Sequence, residues 1–282
     1  MPSCPQRAWR LSFLALTLGV LSAWALSAPP AAQPRAGDDG DVLFWDDFES
    51  GSPCFWAGRA GFEGTCLYDF SCFGDTPPTS AVDPLAVTGT LADLNTLAPI
   101  AGAAAEARLA ADSSLLDAET TAADGGFALS LPTGGTPLDA FLAFAASGYP
   151  NTRYFGSDPL AADVTGFAAQ AISTSQLGLI YFLANVAQLP GTGTAVVVVA
   201  DCAGTPIAGA TVALTPPPTA LRYLAGSLPS PSATATDASG VALGLSAPAG
   251  GCTVAAGYGG RALEAHAFQV FAGGVSGTPI HP

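Results

Sequence analysis

From residue 85 onward the chain reads as short apolar runs broken by turn residues. Phe127, Leu129 and Leu131 alternate with Ala128 and Ser130, the period-two pattern of a half-buried strand. Val241, Leu243 and Leu245 alternate with Ala242 and Gly244 in the same way. The run 196–199 is four valines without alternation, which predicts a strand covered on both faces or one with an end packed by a neighbour. Strands are predicted at 85–91, 103–110, 115–121, 127–131, 140–146 and 152–155, and again at 195–200, 210–215, 233–236, 241–245, 253–258, 265–271 and 275–280. Strands this short, punctuated this often, predict a β-sandwich. One stretch departs from the pattern. Residues 173–188 read as a helix, capped by Ser173 or Thr174 and closed by Pro190-Gly191. Leu177, Ile180, Tyr181 and Ala184 form one apolar stripe, and Leu179, Phe182, Leu183 and Val186 form another. A helix apolar on two sides is expected to be buried on two sides, here as a wedge joining its neighbours.

The same signals occur twice. Pro99-Ile100-Ala101-Gly102-Ala103 returns as Pro206-Ile207-Ala208-Gly209-Ala210. In the first copy Asp124-Gly125-Gly126 leads into the 127–131 strand, then Pro132-Thr133-Gly134-Gly135; in the second Asp237-Ala238-Ser239-Gly240 leads into 241–245, then Pro248-Ala249-Gly250-Gly251. Asp can bond the backbone two residues on and Gly accepts a left-handed conformation, so each step predicts a tight turn. Shared order and near-equal spacing predict two copies of one module, at 83–165 and 193–282, with 166–192 as the helical connector.

The first 82 residues differ. Arg7 and Arg10 precede the uncharged apolar run 11–26, and Ala23-Trp24-Ala25 or Leu26-Ser27-Ala28 fits a cleavage site, so 1–28 is expected to be a signal peptide. An uncleaved anchor is the alternative, and the run is short for a span. Contact with a membrane is expected only through this segment before cleavage. A flexible Pro/Asp-rich linker is expected at 29–41. Residues 42–82 crowd Trp45, Trp56, Tyr68 and several Phe with Cys54, Cys66 and Cys72, as in a small disulfide-stapled segment.

Composition narrows the function classes. Of 282 residues 49% are hydrophobic and only 11% charged, and 22 acids against eight basic residues, all Arg, give a net charge of −14. Such a chain repels phosphate backbones, so nucleic acid is not an expected partner. Richness in Ala and Gly with no Lys points to a GC-rich bacterial genome. Export makes disulfides permissible, and removing Cys4 with the signal leaves five cysteines.

The segment Gly204-Thr205-Pro206-Ile207-Ala208-Gly209-Ala210-Thr211-Val212, with Thr236-Asp237-Ala238-Ser239-Gly240 and Pro248-Ala249-Gly250-Gly251-Cys252-Thr253-Val254, resembles carboxypeptidase regulatory-like domains. The first copy is a more divergent match. The resemblance implies two tandem transthyretin-like (prealbumin-type) sandwiches, related to starch-binding-like folds, and no particular activity, because its motifs are turn chemistry. Offsetting one copy on the other places Asn95 against Cys202 and Thr136 against Cys252. Both positions are Cys in one copy only, which predicts a Cys202–Cys252 disulfide. A second bridge is expected among Cys54, Cys66 and Cys72, its pairing open.

Catalytic chemistry finds little support. The chain has two His, His266 and His281. Intradiol dioxygenases use a related sandwich with two Tyr and two His on iron, but Tyr223 and Tyr258 lack a matching spacing. No Gly-x-Ser-x-Gly elbow is present. The acids Asp38, Asp39, Asp41, Asp46, Asp47 and Glu49 lack a calcium-loop pattern and read as a solvated linker. Trp45, Trp56 and Tyr68 offer faces that could stack on sugar rings, although packing around the cysteines is the simpler reading. The expectation is therefore a secreted, periplasmic or surface-displayed structural or adhesive protein, without cofactor, metal or catalytic residues, its modules serving as spacers or interaction units toward a cell-surface glycan or protein. A carbohydrate-binding surface protein is the alternative, and an unrecognised hydrolase or dioxygenase the second.

Overall fold

The computed structural model describes residues 68–282. These form an all-β fold of sixteen strands with one helix. Module one contains β1 (Leu85–Asp93), β2 (Ala104–Leu109), β3 (Leu115–Thr120), β4 (Gly126–Leu131), β5 (Ala140–Ala145), β6 (Thr152–Phe155) and β7 (Val164–Ala171). The helix α1 (Thr174–Leu183) follows. Module two contains β8 (Thr192–Val199), β9 (Thr211–Thr215), β10 (Ala220–Ala225), β11 (Leu228–Ser230), β12 (Val241–Pro248), β13 (Gly250–Tyr258), β14 (Arg261–Ala262), β15 (His266–Val270) and β16 (Val275–Ile280).

The two modules are wired alike. In each, the first strand pairs antiparallel with the strand after the Asp/Gly turn and parallel with the last strand: β1 with β4 and β7, β8 with β12 and β16. In each, the second strand pairs with the strand after the Gly-Gly turn: β2 with β5, β9 with β13. Inward residues of facing sheets make the cores. In module one Leu85, Val87, Leu91, Phe127, Leu129 and Leu131 meet Ala105, Ala107, Leu142, Phe144 and Tyr154. In module two Ala195, Val197 and Val199 meet Val212, Leu214, Val254 and Phe268.

The repeat extends to individual bonds. The Leu91 N–H donates to the Gly125 carbonyl and Val199 to Gly240, each at 2.8 Å. The Thr121 hydroxyl donates to the Ile100 carbonyl (2.7 Å) and accepts from Ala103 N–H (2.9 Å); Thr236 does the same with Ile207 (2.6 Å) and Ala210 (2.9 Å). Gly125 and Gly240 both have φ near +70 to +80°, and a Cβ on either would stand 2.4 Å from a backbone oxygen, of Leu91 or Val199. Only glycine closes the chain this tightly.

The acids of module one protect a sheet edge. β4 ends its sheet. Its outward N–H groups at Ala128 and Ser130 donate to the carboxylates of Glu119 (2.6 Å) and Asp117 (2.7 Å) on β3 across the sandwich rim. The edge donors are thereby satisfied and charged against further pairing.

The modules are joined by their sheets. β6, at the edge of the second sheet of module one, pairs parallel with β16, at the edge of the first sheet of module two, through Thr152, Arg153 and Tyr154 beside Val275, Ser276 and Gly277. The result is one sheet of nine strands, ordered β11-β10-β12-β8-β16-β6-β5-β2-β3. Partners in register point to the same face. Tyr154, Gly277 and Val196 therefore share one face, and Arg153, Ser276 and Ala195 the other. Tyr154 belongs to the core of module one and Ala195 to that of module two. The two cores thus lie on opposite faces of one continuous sheet.

Three expectations are corrected. The helix is not a wedge buried on two sides. Leu177, Tyr181 and Ala184 pack on Val198, Leu243 and Leu245 of module two, while Phe182 on the other stripe is 78% exposed. It lies on the back of the nine-stranded sheet, held there by the Tyr181 hydroxyl, which bonds the Thr194 hydroxyl (3.0 Å) and accepts from Ser246 N–H (3.0 Å). The start of the expected connector is strand, because β7 runs to Ala171 and completes module one. Residues 233–236 form no strand, since Thr236 turns inward to bond Ile207 and Ala210. The four valines at 196–199 do lie in a strand covered on both faces, Val197 and Val199 by one core and Val196 and Val198 by the helix layer.

Candidate functional site

The cysteines pair differently from the sequence expectation. Cys202 is bonded to Cys72, with Cα atoms 5.6 Å apart, and Cys252 is a free, buried thiol. Cys252 stands on β13 with its side chain inside the sandwich, in register with Phe268. Burial raises its pKa, and a backbone hydrogen bond from Thr215 offsets this in part, so it behaves as a small core residue. Cys202 lies in the turn after β8, at the end of the sandwich, where residues 68–73 dock. There Cys202 N–H donates to the Asp69 carbonyl (2.8 Å), and Asp69 N–H donates to the Asp201 carboxylate (2.9 Å). Cys72 is therefore not available to Cys54 or Cys66, which lie outside the described residues.

Tyr68 is no sugar platform. It is 9% exposed, packs edge-on against Tyr258 at 5.5 Å and accepts the Ala208 N–H at its hydroxyl (2.9 Å). Its ring belongs to the core of module two. Trp45 and Trp56, and the acids 38–49, lie outside the described residues.

His266 opens β15, and His281 follows the last residue of β16. His266 Nε2 bonds the Thr278 hydroxyl at 2.6 Å, and its Nδ1 is buried without a partner. Burial pushes its pKa down to about 4, with Asp158 pulling upward and His281 pushing further down. His281 Nδ1 stands 3.2 Å from the Asp201 carbonyl. Tyr223 is committed elsewhere, its hydroxyl accepting from Val212 N–H (2.8 Å). Among the described residues no group of three His, Cys, Asp or Glu side chains could hold a metal ion.

Two cavities flank the seam between modules, one on each face of the long sheet. The first, about 130 Å³, lies under α1 and is lined by Tyr154, Ile172, Leu177, Val196, Val198 and Leu243 among others. It is almost wholly apolar, although Gln170 on its wall has a buried Oε1 without a partner. The second, about 340 Å³, lies on the opposite face between module one and the β15–β16 turn, and carries Glu106, Arg108, Arg153 and Phe271. The Arg153 guanidinium lies 3.8 Å over the Phe271 ring, and burial lowers its pKa, followed by the nearby Arg108 charge and against the pull of Glu106. The sequence reading missed this cleft. Its residues come from β2, β5, β6 and a distant turn, and no local motif unites them.

A scan against protein-family models gives no match, and a search of curated proteins gives none. Among solved structures, the chain is similar to the shaft pilin SpaA from Lactobacillus rhamnosus GG, with 13% identity over 71% of this chain and 98% of that one and a TM-score of 0.24. It is similar to the Bacillus anthracis TIE protein, with 13% identity, 69% and 32% coverage and a TM-score of 0.23. It is similar to a hydroxyquinol 1,2-dioxygenase from Pseudomonas putida DLL-E4, with 14% identity, 44% and 73% coverage and a TM-score of 0.23. At these scores the likenesses carry no argument, and the all-β architecture rests on the strands and pairings described above. Among the described residues no helix is long and apolar enough to cross a membrane.

Proposed function

We propose that the chain is an exported structural or adhesive protein in which two transthyretin-like sandwiches of the carboxypeptidase regulatory-like type act as one stiff spacer or interaction unit. The observation that carries this reading is the parallel pairing of β6 with β16, which runs a single sheet through both modules. Tandem domains on a flexible linker move independently; a shared sheet ties the two bodies by backbone hydrogen bonds. Phe155 of module one packs on Phe268 of module two, ring centroids 5.9 Å apart, and each such buried side chain contributes about 1.5–3 kcal/mol. The Cys72–Cys202 bond closes a loop of 130 residues that encloses all of module one. Arg7, Arg10 and the apolar run after them support export.

Expression of the full chain in a bacterial host tests the reading. Sequencing the secreted product should find its N-terminus after Ala25 or Ala28, and pulling that product end to end with the Cys72–Cys202 bond reduced, so that module one bears the force, should give one cooperative rupture for both modules. A product retained in the cytosol, or two independent ruptures, would overturn the reading.

A further inference from the structure

The back of the module-one sheet carries a charged row that its own core does not use. Glu106, Ala143 and Arg153 are direct neighbours across β2, β5 and β6. Adjacent strands lie about 4.8 Å apart, so the Ala143 methyl leaves a hollow about two strand spacings wide between the charged side chains. Arg108 and Phe141 form the next row, and Phe271 closes the far wall from module two.

The two arginines are in different states. Arg108 is occupied, donating from Nε to Glu106 (2.7 Å) and from Nη1 to the Ser113 carbonyl (2.7 Å). Arg153 is half-buried and stacked on Phe271, and its guanidinium makes no hydrogen bond or ion pair with any described residue. Stacking on Phe271 strips part of the water from the guanidinium, and the burial that lowers its pKa reports that lost hydration, which the charge of Glu106 across Ala143 offsets only in part. Gly274 leaves it room, since a Cβ there would come within 2.9 Å of Arg153 Nη1. Two arginines and one glutamate give the cleft a net charge of +1 in a chain of −14. That charge matches a single negative charge, and Glu106 works against a second one. A guanidinium fork matches the two oxygens of a carboxylate. The walls beside it are Phe271, Phe141 and Ala143, which suit a flat apolar body.

We propose that this cleft binds a small monocarboxylate with a flat apolar body, its carboxylate forked on Arg153 and its body lying over Ala143 against Phe271. Benzoate is the probe, tested on the full chain by titration calorimetry and by the arginine side-chain Nε–Hε signals, of which the chain has eight at most. Benzyl alcohol serves as the uncharged analogue and inorganic phosphate as the multivalent anion. Benzoate should bind saturably, move the Arg153 signal most and be displaced poorly by either analogue. Arg153→Met, which keeps the stem over Phe271, should weaken benzoate by about tenfold or more, and Arg153→Lys, which keeps charge without the fork, should weaken it less. Benzyl alcohol or phosphate binding as tightly as benzoate would overturn the proposal, as would an Arg153→Met chain that binds normally. Should that variant fail to fold, the Arg153 signal in the unmutated chain still decides: if benzoate leaves it unmoved, the assignment is wrong.

Discussion

The two modules close the same turn with the same bonds and then finish the backs of their sheets differently. In module two the back of the β12-β8-β16 layer is apolar and is covered by α1, with Leu177 and Tyr181 seated on Val198 and Leu243. In module one the back of the β2-β5-β6 layer is half apolar and half charged. Phe141 and Phe155 tuck under module two, while Glu106, Arg108 and Arg153 line an open cleft. Edge pairing of β6 with β16 produces this difference. It places the cores on opposite faces of one sheet, so the back of each module's layer lies on the face where its neighbour's core is packed. One duplicated framework thus yields two unequal backs, one dry and structural, the other polar and accessible to a ligand.

The largest expected effect comes from the bond that spans this inequality. The disulfide ties the segment ahead of module one to the far end of module two. Cys202→Ser should lower stability by about 4 kcal/mol, in the range for long loops, and urea unfolding with and without reductant checks it. Cys252→Ala should lose far less, and reductant should still destabilise that variant. If reductant leaves the melting temperature of the unmutated chain unchanged, the covalent tie contributes nothing.

The paired glycines test whether the modules are one cooperative unit. Gly125→Ala and Gly240→Ala each force a Cβ to within 2.4 Å of a backbone oxygen at positive φ. Each should lose about 3 kcal/mol from left-handed strain and the close contact. With a shared sheet, either substitution should shift one single calorimetric transition by a similar amount. A transition split by one variant and not by the other would separate the modules.

The acid sensitivity of the seam follows from His266. Its folded pKa of about 4 lies below the ordinary histidine value of 6.5. The unfolded chain therefore takes up a proton that the folded one refuses. Stability from this group is complete above about pH 6.5, falls as the pH drops through that window and levels off below about pH 4, a loss of about 3 kcal/mol at most. Asp158 and His281 act on the same ring, so the measurement is a difference: urea midpoints at pH 7 and pH 4 for the unmutated chain and for His266→Gln. The variant should show the smaller decline. Equal declines would mean that His266 charges freely in the folded protein.

Much of this framework is legible in the sequence, and the failures share one physical cause. The turns are readable because Asp124-Gly125 and Asp237 to Gly240 act on their own neighbours, and the inward strands are readable because Phe127, Leu129 and Leu131 keep period two. β7 escapes notice because Gly166 and small alanines blur its alternation, and β10 because Arg222 interrupts it. The cysteine pairing and the β6–β16 seam are long-range choices. Nothing in Thr152 to Phe155 marks it as the strand that will continue into module two, and offsetting two repeats compares positions without revealing what docks on them. The cleft inherits that illegibility, since Arg153 gains Phe271 as a neighbour only through the seam.

The helix offers the finest test of the difference between the two backs. Tyr181→Phe removes a hydroxyl that satisfies the buried Ser246 N–H and bonds Thr194, and should lose about 1–2 kcal/mol. Phe182, one residue on, is 78% exposed, and Phe182→Ser should stay within about 0.5 kcal/mol of the unmutated chain. Its sequence stripe is as apolar as that of Tyr181, so adjacent substitutions of equal apparent hydrophobicity separate the two orientations of the helix. Urea unfolding that finds Phe182→Ser as costly as Tyr181→Phe would bring back the helix buried on two sides, and with it a second body packed on α1.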